Sequence, residues 1–277
     1  MDLRPSSWGR SGPPPDRRAA LLTADGERVS AAFDRSAAAS DVAFVVAHGF
    51  TGGWRRPDNR HVARALARYA GVVSYDHRGH GSSTGVTTLG DDEVLDLEAA
   101  VRWARWCGAR RIVTVGFSMG GSVVLRHAAL ADTPPDAVVS VSAAGFWFYR
   151  GTPPMRLLHR AVGSPMGRAV LRHGFGTQVT DQEWVEPYPL SPSESALTLA
   201  PVPLLVVHGT RDTYFPVEHA RSIVSAYREG ARSRSVPDLG QEWIVDGFAH
   251  AESAVDAQLL ADIGSWALDA VGGRVSP

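Results

Sequence analysis

Apolar residues along the chain fall into two alternating patterns. Val42 to Ala47, Gly71 to Tyr75, Arg111 to Val115, Ala137 to Val141 and Leu204 to Val207 are short, nearly continuous apolar runs, as expected for strands covered on both faces. Between them, Val62, Ala65, Leu66 and Tyr69, then Val94, Leu97, Val101 and Ala104, then Ala220, Ile223, Val224 and Tyr227, recur at helical spacing. Ala19 to Thr23 and Val29 to Asp34 flank Asp25-Gly26, a tight-turn pair, and predict a β-hairpin at a sheet edge. Glu242 to Val245 reads as the last strand, although Ser233 to Val236 is a second candidate. Leu259, Leu260, Ile263, Trp266 and Ala267 mark a closing helix. Strands alternating with helices imply βαβ units, and so an α/β fold: a mostly parallel twisted sheet with helices on both faces.

The alternation breaks between Gly145 and Pro201. An aromatic cluster (Phe146, Trp147, Phe148, Tyr149) leads into Pro153-Pro154, two short helical stretches and a segment with Pro187, Pro189 and Pro192. Such an interval predicts a small helical cap inserted into the core. The expected organisation is a disordered tail over 1–18, a core over 19–144 and 202–272, and a cap over 145–201.

With 277 residues the chain can bury a full core, and a net charge of −1 gives it no general attraction to nucleic acid. The lone Cys107 cannot form an internal disulfide. Met1 to Arg18 is proline- and arginine-rich and lacks the apolar stretch of a secretory signal, and no apolar run approaches the ~20 residues that span a bilayer. These features set a cytoplasmic expectation without stable membrane insertion; none fixes an oligomeric state. All 28 basic residues are arginine, which removes Schiff-base chemistry, PLP attachment and the P-loop lysine.

Chemistry concentrates at Val113 to Gly121, V-T-V-G-F-S-M-G-G, where a β-branched run ends and Ser118 sits in G-x-S-x-G before a helical pattern. A serine on so sharp a strand-to-helix turn has strained backbone angles, and only small neighbours let strand and helix pass that closely. Its hydroxyl needs a base, and the base needs an acceptor that fixes its tautomer. The order Ser, Asp, His suits this type of elbow, and Asp212 and His250 supply it, each just past the end of an apolar strand. Asp212 could instead cap the helix beginning near Val217, and His250 could be an ordinary loop histidine. Asp246 is a rival acid, and His48 a rival base better suited to bracing its loop. Backbone donors for a developing oxyanion would come from Met119 and from Phe50 in His48-Gly49-Phe50.

These residues resemble the α/β-hydrolase family, and within it the capped serine-hydrolase branch of lysophospholipase-like and monoacylglycerol-lipase-like esterases. The resemblance runs from about Leu21 to Val271. It rests on His48-Gly49-Phe50, Asp76 to Ser83, Gly116 to Gly120, His208 to Asp212 with Pro216, and Gly247 to His250. It implies a serine hydrolase of carboxylic esters acting on a small to medium apolar molecule through an acyl-enzyme. Phe146, Trp147 and Phe148 follow the Ala137 to Val141 strand and so enter the cap beside the substrate, or else glue the cap to the core. Thioester, amide or carbon–carbon cleavage and acyl transfer would use the same parts. A non-catalytic ligand-binding protein on the same fold is the reading from another class. His77 and His80 have ligand-like spacing but fall in a glycine-rich loop, and H-E-x-x-H is absent, so neither a metal nor a cofactor is expected.

Overall fold

The computed structural model of the protein describes residues 16–37 and 40–272. The expected tail falls outside them up to residue 15. Its last two residues belong to the sheet: β1 (Arg17–Leu22) pairs antiparallel with β2 (Arg28–Asp34) about the turn at Asp25-Gly26. Ladder pairing uses only backbone groups, so Arg17 and Arg18 extend the strand opposite Phe33 and Ala32 despite their polarity.

The chain continues through β3 (Val42–Ala47), α1 (Pro57–Leu66), β4 (Gly71–Tyr75), α2 (Glu93–Trp106), β5 (Arg111–Phe117), α3 (Met119–Leu130) and β6 (Ala137–Val141). Then come α4 (Pro153–Val162), α5 (Pro165–Val170), a π-helical turn (Leu171–Phe175) and α6 (Pro192–Leu199). The last elements are β7 (Leu204–Gly209), α7 (Glu218–Ser233), β8 (Gly240–Val245) and α8 (Ala257–Gly272). One eight-stranded sheet has the order β1-β2-β4-β3-β5-β6-β7-β8, antiparallel through β1, β2 and β4 and parallel from β4 to β8. Ser233 to Val236 forms the end of α7 and a turn, leaving β8 as the last strand.

The period of two in a strand divides each central strand between two cores. Ala43, Val45 and Ala47 face the core made with α2, α3, α6 and α7, while Val42, Phe44 and Val46 face the one made with α1 and α8. Full burial of a side chain such as Phe44 or Val46 contributes roughly 1.5–3 kcal/mol, so β3 and β5 are rigid platforms for the loops that leave them. The chain runs from β3 to β4 on one side and then to β5 on the other. That reversal opens a crevice beyond the carboxyl ends of β3 and β5, the usual place for ligands in open α/β sheets.

The interval expected to be a cap is not uniform. In α4 only Met155 is buried and in α5 nothing is, so both helices stand off the core. By contrast α6, inside the expected 145–201, packs Ala196 and Leu199 into the core beside α3 and α7. It is the crossover helix between β6 and β7. Its start is fixed by a capping box, in which Ser191 Oγ accepts from the Glu194 N–H and the Glu194 carboxylate accepts from the Ser191 N–H. The chain leaves the core at Gly145 and returns at Ser193, and the Ser193 N–H donates to Gly145 C=O at 2.9 Å.

Candidate active site

Ser118 lies between β5 and α3 with φ 51° and ψ −115°, a left-handed conformation that a residue with a Cβ adopts only under strain. Packing enforces it. A Cβ on Gly116 would lie 2.1 Å from Gly120 O, and one on Gly120 would lie 2.3 Å from Ala47 O, so strand, turn and helix approach to a distance that only glycine allows. The Ser118 N–H is tied to Val141 C=O at 2.8 Å, which continues the β5–β6 ladder into the turn.

Three side chains from three different loops meet at the carboxyl edge. His250 Nε2 is 2.9 Å from Ser118 Oγ, and His250 Nδ1 is 2.7 Å from Asp212 Oδ2. The second Asp212 oxygen accepts from the Tyr214 N–H at 2.8 Å and the Phe215 N–H at 3.1 Å. Asp212 makes no cap to α7. Although burial raises its pKa, the hydrogen bond and charge of His250, helped by the two amides, hold the carboxyl below its ordinary value. Asp246, the rival acid, instead accepts from the Thr210 hydroxyl at 2.9 Å.

The Gly49–Gly53 loop follows β3. Phe50 and Met119 are both half-buried, and neither amide donates to an acceptor among the described residues. His48 does not reach Ser118. Its Nε2 accepts from the His77 N–H at 3.0 Å and its Nδ1 donates to Gly49 C=O at 2.7 Å, so it braces the loop. Burial, with His77 and His80 nearby, pushes His48 well below its ordinary pKa, which keeps it neutral, and its two hydrogen bonds set the tautomer. His80 has the same role: Nδ1 donates to Arg78 C=O and Nε2 accepts from the Thr51 N–H, with burial lowering its pKa to about 4. Asp76 completes the brace, accepting from the Trp54 and Ser82 N–H groups. Among the described residues no three His, Cys, Asp or Glu side chains form a group that could hold a metal ion.

The three aromatic residues expected beside the substrate diverge. Phe146 stacks on His219 at 4.3 Å and joins Tyr149 and Phe215, and Phe215 in turn lies 5.8 Å from the His250 ring. Trp147 donates its indole N–H to Pro189 C=O and packs edge-on against Trp184. Phe148 packs against Trp184 and Tyr188. Trp147 and Phe148 therefore tie cap segments together, and of the three only Phe146 reaches the aromatic group around the histidine. The sequence reading missed Tyr214, whose ring lies 4.4 Å from His250, and Glu252, whose carboxylate accepts from the Gly49 N–H at 2.9 Å. Proximity in sequence was the available signal, since Tyr214 follows Asp212, and Glu252 follows His250, by two positions.

A model of the alpha/beta hydrolase family matches residues 44–257. The chain belongs to that family. It is 32% identical over 165 residues to Esterase LipC of Mycobacterium tuberculosis, an alignment taking in 51% of this chain and only 37% of the relative. Among solved structures it resembles the Pyrococcus furiosus esterase Pf2001, with TM-score 0.68, 23% identity and 90% of each chain covered. It also resembles Est1E of Butyrivibrio proteoclasticus, solved with ferulic acid bound, with TM-score 0.60, 18% identity, and 92% of this chain and all of that one covered. At such identities the structural likeness is one of fold. Among the described residues no helix is long and apolar enough to cross a membrane.

Proposed function

We propose that the protein is a serine hydrolase of carboxylic esters, with Ser118 as nucleophile, His250 as base and acid, and Asp212 as the group that orients His250. The observation that carries this reading is the unbroken hydrogen-bond chain from Ser118 through His250 to Asp212 at a strained elbow, supported by a relative and structural neighbours that are themselves named esterases. His250 Nε2 takes the Ser118 proton as Oγ attacks the ester carbonyl. The charge that develops on the carbonyl oxygen is stabilised by the free N–H groups of Phe50 and Met119. Collapse expels the alcohol, which receives its proton from His250. A water then attacks the acyl carbonyl, giving a proton to the same nitrogen; the bond to Ser118 Oγ breaks, His250 returns the proton to Oγ, and the acid leaves.

The substrate is an ester of small to medium size with an apolar portion near the Phe146, Tyr149, Phe215 and Tyr214 rings. Each methylene buried there contributes up to ~0.8 kcal/mol of binding. The test is labelling with a fluorophosphonate, read by intact mass and peptide mapping, beside hydrolysis of p-nitrophenyl esters. The expected result is one adduct on Ser118 with loss of activity. A protein that binds acyl ligands but neither labels nor turns over would be a binding protein on the hydrolase fold.

A further inference from the structure

Glu252 lies two residues past His250 in a short 3-10 turn (Ala251–Ser253) and reaches back across the site to β3's exit loop. Its Oε1 accepts from the Gly49 N–H at 2.9 Å and lies 3.5 Å from the Asn59 side-chain amide on α1. A Cβ placed on Gly49 would lie 3.1 Å from Glu252 Oε2 and 3.3 Å from the Ser118 Cβ, so this loop residue is held between the carboxyl group and the nucleophile. On its other side, Gly49 C=O accepts from His48 Nδ1 at 2.7 Å and from the Gly52 N–H at 2.9 Å. The peptide that follows Gly49 carries the Phe50 N–H. Both ends of Gly49 are thus tied down, and glycine, the residue with the widest choice of backbone angles, has little freedom left here.

We infer that Glu252 is a positioning residue for the oxyanion site: by holding the Gly49 N–H it sets the direction of the Phe50 N–H. This rests on the proposal that Phe50 supplies an oxyanion donor. Burial raises the Glu252 pKa, and the arrangement tolerates either protonation state, because a protonated acid still offers a carbonyl oxygen to the Gly49 N–H. The role belongs to the acceptor oxygen rather than to the charge. A donor misdirected by about 1 Å costs up to ~10²-fold, somewhat less than the ~10² to 10³ lost with the donor itself.

The test compares E252Q, which keeps the acceptor, with E252M, which keeps the length but offers no strong acceptor. Each is measured for kcat and KM on p-nitrophenyl butyrate and for the affinity of a boronic acid that forms a tetrahedral adduct with the serine. E252M should lower kcat by ~10- to 100-fold, with KM changed less than about threefold, and weaken the boronic acid by a similar factor. E252Q should stay within about threefold of the native protein in both measurements. E252M with native kcat, or E252Q impaired as far as E252M, would overturn the assignment. Fluorophosphonate labelling separates the two levels: labelled Ser118 with an unimpaired E252M removes only the role of Glu252, whereas an unlabelled Ser118 removes the serine mechanism on which it rests.

Discussion

Replacing Asp212 with asparagine tests the proposed base directly, because the local hydrogen bonds dictate which way the amide must turn. Asp212 Oδ1 receives two backbone N–H donors, from Tyr214 and Phe215, and Oδ2 faces His250 Nδ1. The amide oxygen must take the first position, since an NH2 there would leave two donors facing a donor, at about 1–3 kcal/mol for each unsatisfied group. The amide nitrogen then faces Nδ1 and donates to it. His250 is thereby held with its proton on Nε2, where it cannot accept the Ser118 proton. A penalty of about 2–6 kcal/mol leaves at most a few per cent of molecules in the productive tautomer, a loss of roughly 30-fold or more. The neutral amide also stabilises the imidazolium less, by the ~1.5–3 kcal/mol of a hydrogen bond to a charged group. Together these approach the ~10⁴-fold loss in kcat known for the same exchange in another serine triad. The shape is unchanged, so the variant should fold. The assay is kcat on p-nitrophenyl butyrate, with Asp246→Asn as the parallel control. Activity of D212N above about 1% of native, or an equal loss in D246N, would refute the tautomer argument.

Four further outcomes are expected. Ser118→Ala, His250→Ala and their double variant should each lose ~10⁴ to 10⁶ in kcat, with little further loss in the double, because the pair acts as a unit; additive losses would separate their roles. Phe50→Ala keeps the backbone donor and should cost far less than Phe50→Pro, which removes it at ~2.7–4 kcal/mol; equal losses would assign Phe50 to packing. On p-nitrophenyl esters, kcat/KM should rise from acetate to butyrate or hexanoate, and Phe146→Ala should flatten the rise more than Trp147→Ala, which loosens the cap instead; the reverse order would put the acyl chain against Trp147. Burial lowers His80 from 6.5 to about 4, so the unfolded chain takes up this proton first. The resulting stability is complete above about pH 6.5 and falls as pH drops toward 4, by about 2 kcal/mol at pH 5 from this residue alone. Thermal melting from pH 8 to 5 checks this, and a His80→Gln variant should show a shallower decline.

The features legible in the sequence were those written in local patterns. The continuous apolar runs marked β3, β5, β6 and β7 because burial on both faces leaves no polar position to interrupt them. The order of Ser118, Asp212 and His250 was legible because Ser118 directly follows the β5 run, and Asp212 and His250 stand in the exit loops of β7 and β8, the last a partly exposed strand. Helix α6 was hidden in the cap interval because Pro187 and Pro189 precede it, Pro192 begins it, and only two turns carry its apolar face, too few to show a period. The directions of Phe146, Trp147 and Phe148 were not legible, since the stretch has no regular period: Phe148 has φ 61°, Phe146 turns to His219, and Trp147 and Phe148 both turn to Trp184. Glu252 and His80 each accept from one backbone amide of the loop after β3, far off in sequence, a pairing that no periodicity marks even though Glu252 stands two positions past His250.

The bond between Gly145 and Ser193 has a consequence for how substrate range can change. The cap's two ends meet at one point on the core, and its second half returns to the core between them, with the Gln178 N–H donating to Gly79 C=O, the Thr87 N–H to Gln178 C=O and the Trp184 indole N–H to Thr88 C=O, which leaves α4 and α5 as the part that stands free. Closure entropy grows only with the logarithm of loop length, and doubling such an insert costs only about 0.6 kcal/mol. The segment from α4 to α5, where only Met155 is buried, can therefore be lengthened, shortened or exchanged for another sequence while Ser118, Asp212, His250 and the Gly49 loop, all anchored outside it, keep their places. New specificities can arise by trading the lid and leaving the reaction chemistry inherited intact.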